Sequence, residues 1–442
     1  RKPPNSPLKF STLPATVTFR RVFRLWLPLA GSWALMGAEM PTLTAFVARM
    51  ADPEIHLAAW GSLVFPVSLA IEGPVIMLLA ASTALAVDTP SYRKLIRYMA
   101  WMSLLLTGVH ATVAFTPAFS WLAEGILGVP KELLEPGRLG LQIMTPWTAA
   151  IAWRRLNQGV LIRYGNSRAV AVGTAIRLGT LIGILWLTMT FEMGTGILVG
   201  ATAVACAVTT AALFAHFVVQ SVLREKIPEA SEHTALNVRS FAAFYFPLAL
   251  TPLLTLMIHP AGSAAMSRMP MALASLAAWP AVHGLIFLTR GMGFAFNEVV
   301  VALAGKDDGE RQLRRFAKIL ATATMSLLAL LGFTPLGRLW FGSVSGLSPE
   351  LTTISASAIV LAVFMPGYQV YQSLYQGLLV HHRKTRGVSE AVALYVGLAL
   401  VGLWAGTQWS SVPGIQWSIG VFVFAGLFQT LYLRQRSRAL RT

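Results

Sequence analysis

Long apolar runs, separated by short polar connections, recur along the chain from Val22 to Leu433. An α-helix needs roughly 20 residues to cross the hydrocarbon core of a bilayer, and the runs reach about that length. The pattern therefore predicts twelve membrane-spanning helices and leaves no room for a soluble domain between them. The predicted ranges are 22–48, 57–86, 94–118, 139–162, 168–190, 195–222, 240–267, 270–303, 314–335, 352–380, 387–406 and 413–433.

The composition supports a membrane protein. The chain has 442 residues, of which 55% are hydrophobic and 12% are charged, whereas a soluble domain carries roughly 25% charged residues. Its single cysteine, Cys206, excludes an intramolecular disulfide and a cysteine metal cluster. The motifs of ATP-binding loops, zinc proteases and serine hydrolases are missing from the sequence. We therefore expect a protein that is not an enzyme, has no metal or cofactor, and takes its energy from a substrate or ion gradient, with H⁺ or Na⁺ as the coupling ion.

The positive charges are concentrated in the predicted connections. The formal net charge is +17, which in a soluble protein would suggest nucleic-acid binding. Most arginines and lysines here lie in alternate short connections and beside both termini, the distribution that the positive-inside rule assigns to the cytoplasmic side. We therefore expect no nucleic-acid partner and a multi-pass plasma-membrane protein with both termini in the cytoplasm. The short connections favour a bacterial inner membrane.

The two halves of the chain match each other at an offset of about 218–219 residues. Aligned pairs include Pro28 and Pro247, Pro41 and Pro260, Arg49 and Arg268, and the Gln-Gly pairs at 158–159 and 376–377. Each half has six spans, an even number, so the repeat is parallel and its pseudo-two-fold axis runs along the membrane normal. The sequence thus predicts two lobes that rock around a central cleft, with a small-molecule substrate bound in that cleft.

The repeat sets the predicted domain organisation. A cytoplasmic segment over 1–21 precedes a first lobe over 22–223. A polar linker over 224–239 connects it to a second lobe over 240–434, and a cytoplasmic tail over 435–442 follows. We expect a monomer embedded in the lipid bilayer.

Two parallel six-helix repeats, each opening with a proline-containing helix, resemble the MOP exporter superfamily, which includes the MATE drug exporters and lipid-linked sugar flippases. The local similarity is to the progressive ankylosis (ANKH-like) group, and it rests on Trp26-Leu27-Pro28-Leu29-Ala30, on Phe46-Val47-Ala48-Arg49, on Pro66, and on Pro146 through Gly159. The resemblance implies an all-α, MATE-like fold. It also implies export of organic anions, such as polycarboxylates or phosphorylated metabolites.

Ionisable side chains inside predicted spans are costly, so they are candidates for function. Arginine keeps its charge when it is buried and binds carboxylate or phosphate through a two-pronged fork. The predicted anion ligands are Arg154, Arg155, Arg177 and Arg290. Single buried histidines are usually packed and hydrogen-bonded, which is how we interpret His110, His259 and His283.

The acidic candidates for gating or ion coupling are Glu39, Glu72 and Glu298. Glu39 lies two residues before Pro41, where a kink frees backbone carbonyls. Glu72 and Arg290 occupy equivalent repeat positions, so they either form a pair across the pseudo-two-fold axis or find partners within their own halves. The alternative to an anion-binding role for Arg154 is pairing with Glu298 or with a helix C-terminus.

The prolines predict hinges, because each one removes a helix hydrogen bond. The candidate hinge positions are Pro28, Pro41, Pro247 and Pro260. The competing interpretation is static kinking. Together these features favour a secondary-active exporter of a small organic or phosphorylated anion. The alternatives are a proton- or sodium-coupled multidrug exporter, a lipid-linked sugar flippase, and a membrane scaffold or receptor without transport.

Overall fold

The computed structural model describes residues 16–229, 236–382 and 384–439. Over these ranges the chain forms twelve long helical segments, which confirms the predicted all-α architecture. The first six are α1 (Phe19–Gly37 and Glu39–Val47), α2 (Pro53–Leu85), α3 (Thr89–Phe115), α4 (Leu134–Arg163), α5 (Ser167–Thr190) and α6 (Gly196–Glu225). The second six are α7 (Val238–Met266), α8 (Ala272–Leu303), α9 (Gly309–Phe333), α10 (Pro349–His381), α11 (Arg386–Trp409) and α12 (Gly414–Arg438).

Ten of these segments are long and apolar enough to cross a membrane. The other two, α1 and α4, are equally long but carry several charged residues, including Arg154 and Arg155 in the interior of α4. The chain is therefore a multi-pass membrane protein. We call the face where α1 begins and α12 ends the terminal face, and the opposite face the far face.

Several helices begin earlier than the apolar runs predict. The third segment starts at Thr89 instead of 94, because Asp88 caps it by accepting a 2.8 Å hydrogen bond from the Ser91 amide and Pro90 suits the first turn. Polar first turns extend beyond the apolar core, so hydropathy alone places the boundaries too far inside. The predicted linker over 224–239 is shortened from both sides, by α6 up to Glu225 and by α7 from Val238. Its residues 230–235 lie outside the described ranges, as do 1–15, 383 and 440–442 of the chain.

Three helices are interrupted three residues before a proline. The breaks fall at Ala38 before Pro41, at Met257 before Pro260, and at Val363 before Pro366. Proline lacks an N–H for the carbonyl four residues back, and its ring crowds that carbonyl, so the helix is broken just upstream. The predicted hinges at Pro41 and Pro260 therefore lie beside backbone breaks. Those at Pro28 and Pro247 lie within continuous helices.

The backbone repeats itself between the two lobes. Asp52 before α2 and Met271 before α8 both have left-handed φ angles, 46° and 56°. Each lobe also carries a short surface helix on the far face, Ala118–Leu127 in the N-lobe and 336–344 in the C-lobe. These helices are followed by Gly128 and Gly346, with φ angles of 63° and 73°. Conformations this uncommon recur at the repeat offset, so the two halves share one architecture.

A glycine-lined seam joins α1 to α8. A Cβ atom at Gly37 would lie 3.0 Å from the Leu288 backbone, and one at Gly284 would lie 2.9 Å from Pro41. Only glycine permits this approach. A second seam joins α2 to α7, where the Tyr245 hydroxyl donates a 2.5 Å hydrogen bond to the Pro74 carbonyl. The two seams fix the lobes side by side and border the space between them.

Two equivalent arginines join the two lobes at the far face. Arg49 of the N-lobe donates to the carbonyls of Ser343 and Val344 at 2.6 and 3.1 Å, at the end of the C-lobe surface helix. A Cβ atom at Gly346 would lie 2.8 Å from this guanidinium, and the left-handed φ of 73° favours glycine there as well. The exposed helix-end carbonyls carry partial negative charge, which suits a cation.

The second contact repeats the first with the lobes exchanged. Arg268 of the C-lobe donates to the carbonyls of Ile126 and Leu127, both at 2.8 Å, at the end of the N-lobe surface helix. A Cβ atom at Gly128 would lie 2.8 Å from this guanidinium. Both contacts join the lobes, so together they close the far face. We refer to Arg49 and Arg268 with their carbonyl partners as the arginine latch.

Replacing both latch residues, Arg49→Gln with Arg268→Gln, removes the interlobe hydrogen bonds to the surface helices. Each bond to a charged group contributes about 1.5–3 kcal/mol, so we expect the far face to open more often. The measurement is the rate of maleimide labelling at Ser345→Cys in a Cys206→Ser background, because Ser345 follows the Arg49 partners and is 3% exposed. Labelling of the purified protein should accelerate by about tenfold or more.

The matched control is Arg338→Gln, which removes an exposed arginine from the same surface helix. It should leave the labelling rate unchanged. Equal labelling of the double variant and the parent protein would show that the latch does not hold the lobes together.

Candidate functional site

Five ionisable side chains come together inside the N-lobe. They project from four helices: Glu39 from α1, Glu72 from α2, Arg154 and Arg155 from α4, and Arg177 from α5. Electrostatic interactions connect each of them to others of the group. We call these five residues the N-lobe charge cluster. It contains two of the three predicted gating acids and three of the four predicted anion ligands.

One ion pair anchors the cluster. The Arg177 guanidinium donates to the Glu39 carboxylate, and the two side chains are 12% and 14% exposed. Glu39 lies directly after the break at Ala38, so the interruption in α1 sets the position of its carboxylate beside α5. One oxygen of Glu39 and the Nε of Arg177 have no hydrogen-bond partner among the described residues.

The remaining three members are less completely paired. Arg154 is 3% exposed and Glu72 is 4% exposed. Arg154 is attracted by Glu39 and Glu72 and repelled by its neighbours Arg155 and Arg177. Within the described ranges, neither Arg154 nor Arg155 forms an ion pair at contact distance. Buried charges of this kind are costly unless a counter-charge reaches them.

Close packing of α4 on α2 determines where the arginines lie. A Cβ atom at Gly137 would lie 2.3 Å from Leu63, and one at Gly159 would lie 2.2 Å from the Leu79 carbonyl. The glycines therefore hold the two helices together along their length. Neighbouring residues on a helix point about 100° apart. Accordingly, Arg154 is buried in the bundle, while Arg155 remains partly exposed.

The C-lobe carries a different set of groups on the equivalent helices. Arg290 of α8 donates from Nε and Nη2 to the Gln369 side-chain oxygen of α10, at 3.2 and 2.6 Å. Its guanidinium also lies 5.5 Å from the Phe294 ring centre and 5.8 Å from that of Tyr368. Arg290 takes part in none of the ion pairs that the described residues form.

Two histidines and a tyrosine complete the surroundings of Arg290. His259 of α7 and His283 of α8 lie with ring centres 5.1 Å apart, at right angles. Both interact electrostatically with Arg290, as does Tyr395 of α11. We call His259, His283, Arg290, Tyr368 and Tyr395 the C-lobe chamber. The chamber uses α7, α8, α10 and α11, which are the repeat counterparts of α1, α2, α4 and α5.

The structure keeps Glu72 and Arg290 within their own lobes. Glu72 faces the N-lobe arginines, whereas Arg290 faces Gln369 and the rings of the chamber. Among the described residues, Glu72 and Arg290 therefore do not pair across the pseudo-two-fold axis. In this structure each of them has its neighbours within its own half, which is the alternative interpretation. Glu298 is exposed on α8 and does not pair with Arg154.

Sequence reasoning missed the chamber as a group. His259 and His283 were interpreted as separate packed residues, and Gln369 and Tyr395 were not singled out. The repeat offset offered a signal, because Tyr395 stands at the position equivalent to Arg177 and His259 stands one residue from the equivalent of Glu39. His110, in contrast, is packed as expected, with Thr148 and the Leu141 carbonyl as partners. In the described part of the chain, no group of three or more His, Cys, Asp or Glu residues is placed to hold a metal ion.

Comparison with known proteins identifies the fold. No protein-family model matches the chain, and no curated protein does either. Among solved structures, an inward-facing multidrug resistance MATE family transporter of the MOP superfamily matches with a TM-score of 0.71 and 15% identity, over 95% of this chain and 98% of that one. A MOP superfamily transporter from Pyrococcus furiosus matches with a TM-score of 0.66 and 15% identity, over 97% and 98%. The lipid II flippase MurJ, in an inward closed conformation, matches with a TM-score of 0.70 and 13% identity, over 94% and 87%.

At these identities the likeness establishes the fold. The chain has the fold of the MOP superfamily transporters, as its repeat and its proline-containing first helix predicted.

Removing one partner of the anchoring ion pair should cost stability. Arg177→Gln leaves the Glu39 carboxylate without its cation, and breaking a buried pair costs about 3 kcal/mol or more. The double variant Glu39→Gln with Arg177→Gln should recover much of that loss, because the residue that lost its cation is then uncharged as well. Thermal unfolding of the purified protein measures both effects. Arg168→Gln, an exposed position on the same helix, is the control. A double variant less stable than Arg177→Gln alone would contradict the pairing.

Proposed function

We propose that the protein is a secondary-active membrane transporter that exports a small organic or phosphorylated anion. The two lobes alternate by a rocker-switch motion around the central cleft. The observation that carries the proposal is the surplus of positive charge: the N-lobe charge cluster has three arginines and two glutamates, and Arg290 in the C-lobe has no carboxylate partner among the described residues.

The positive sign of this surplus charge determines which substrates can bind. Arginine keeps its charge at any physiological pH, so the cations cannot be removed by deprotonation. Carboxylate and phosphate oxygens match the fork of the guanidinium, whereas a cationic drug would be repelled. The Pyrococcus furiosus transporter of this fold is described as having a binding pocket of reverse polarity that suggests a different function. Pocket polarity therefore differs among transporters of this fold, and a surplus of arginines is compatible with it.

Binding and gating are connected through the Glu39–Arg177 pair. An anion that enters the cluster competes with Glu39 for Arg177, so substrate binding breaks the pair that joins α1 to α5. Glu72 beside Arg155 has one oxygen without a partner and offers a second place where an anion competes with a carboxylate. The gradient of the anion, or of H⁺ or Na⁺, supplies the energy, and no catalytic step is needed.

The alternative functions receive less support from the described residues. The multidrug resistance MATE transporter has a similar fold, but an exporter of cationic drugs needs a cleft that attracts cations. MurJ, of similar fold, is a lipid II flippase. A lipid-linked sugar would have to enter the cleft sideways between the lobes, for example between α1 and α8. That seam is closed here by the contacts of Gly37 and Gly284. The resemblance to the ANKH-like exporters agrees with an anion. We extend the proposal to a monomer in the bacterial inner membrane with cytoplasmic termini.

Counterflow in proteoliposomes tests the proposal. Labelled citrate, malate, ATP and pyrophosphate are supplied beside a cationic dye. We expect uptake of at least one anion and none of the dye. Arg154→Gln should reduce anion uptake by about tenfold or more, because a charge-assisted hydrogen bond contributes about 1.5–3 kcal/mol.

The matched control is Arg93→Gln, which removes an exposed arginine near the terminal face. It should leave uptake unchanged. Dye transport driven by a pH gradient, with no anion uptake, would overturn the proposal in favour of a multidrug exporter.

A further inference from the structure

The C-lobe chamber differs in chemistry from the N-lobe charge cluster, although the two use equivalent helices. The cluster holds five charged groups, whereas the chamber holds one permanent charge, on Arg290, among imidazole and phenol groups. At the position equivalent to Arg154 the C-lobe has Gln372, which is bonded to Gln429 and the Gly426 carbonyl of α12 instead. The two lobes are therefore suited to different parts of a ligand, or to different ligands.

Gln369 holds Arg290 in a fixed orientation. A guanidinium has five N–H groups, and Gln369 accepts from the Nε–H and from one N–H of Nη2. Both N–H groups of Nη1 and the second of Nη2 are left for another acceptor. The close approach of Gln369 depends on Gly293, where a Cβ atom would lie 3.0 Å from the Gln369 side chain. One edge of the guanidinium is thus fixed and the other is available to two oxygen atoms.

A row of aromatic rings lies on α8 next to Arg290. On α8, the His283 and Phe287 rings are stacked with centres 6.3 Å apart, and the Phe287 and Phe294 rings are 6.0 Å apart. Trp33 from α1 lies 4.9 Å from Phe294. His283, Phe287 and Phe294 are all partly exposed. Trp33 also lies 6.3 Å from Phe287, so this ladder of rings lies where α8 meets α1, with Arg290 over the Phe294 ring.

We propose that the C-lobe chamber is a second binding site, specific for a planar aromatic carboxylate. The carboxylate binds the available edge of Arg290, the ring lies against Phe287 and Phe294, and the imidazole and phenol groups bond polar substituents. A single cation matches a single negative charge, whereas a polyphosphate needs several. The inference deepens the proposed function and rests on it, since it assigns part of the anion's recognition to the C-lobe.

Two acids of equal charge and similar size distinguish binding at this aromatic site from general anion binding. Benzoate and cyclohexanecarboxylate share a carboxylate on a six-membered ring, and only benzoate is flat and aromatic. Equilibrium dialysis with the labelled acids, on the full-length protein in nanodiscs, measures both affinities. We expect benzoate to bind about tenfold more tightly, the preference that aromatic and cation–π contacts supply.

Variants assign that preference to the chamber. Phe287→Leu with Phe294→Leu should bring the ratio of the two affinities close to one while the binding of cyclohexanecarboxylate persists. Phe424→Leu with Phe428→Leu is the matched control, since these two rings also contact each other, with centres 4.6 Å apart, but are exposed on α12. Arg290→Gln should weaken both acids by about tenfold. Arg154→Gln should leave the benzoate preference intact, because that arginine belongs to the other lobe.

The outcomes distinguish the two proposals. Equal affinity for the two acids, or a preference that survives the Phe287 and Phe294 substitutions, would overturn the aromatic site. Counterflow of anions that still depends on Arg154 would then leave the transport proposal standing. Binding of neither acid, together with the absence of anion counterflow, would overturn both.

Discussion

The structure depends on one constraint, the placement of permanent charge inside a membrane-spanning bundle. Arginine does not become neutral when it is buried, so each guanidinium within the lobes must find carboxylates, carbonyls, rings or a ligand. Arg177 is paired with Glu39, and Arg290 contacts Gln369 and two aromatic rings. Arg154 and Arg155 have only the longer-range attraction of the glutamates. Several features of the fold bring partners within reach of the arginines. They are the glycine contacts of α4, the break at Ala38, and the surface helices whose end carbonyls accept from Arg49 and Arg268.

The two lobes share one backbone architecture but carry different ionisable side chains. Equivalent breaks before Pro41 and Pro260 open α1 and α7 at the same level, and equivalent arginines, Arg49 and Arg268, bind the opposite lobe at the far face. Inside the lobes the symmetry is lost, because an acid at Glu72 is matched by a cation at Arg290. Symmetry is therefore kept at the contacts between the lobes, and it is lost inside the lobes, where we propose that the substrate is recognised.

Much of the fold was predictable from the sequence, because the length of an apolar run and the constancy of a repeat offset are local properties of the chain. The run lengths predicted the helices, and the alignment of Arg49 with Arg268 placed these residues at equivalent positions. Their partners were not predictable, since the latch binds backbone carbonyls, which have no sequence signature. Helix starts such as Thr89 were misplaced because a cap and a proline, not hydropathy, determine them. The interpretation of Glu72 and Arg290 had to stay open because the direction of a side chain within a bundle depends on how its helix packs.

The proposed anion transport requires that the interior of the N-lobe attracts anions. The most direct measurement is binding of labelled pyrophosphate and of labelled tetraphenylphosphonium to the purified protein, each at low and high ionic strength. The account predicts that pyrophosphate binds, that added salt weakens the binding by screening, and that Arg154→Gln with Arg155→Gln abolishes it. Binding of tetraphenylphosphonium in place of pyrophosphate, strengthened by the same two substitutions, would contradict it.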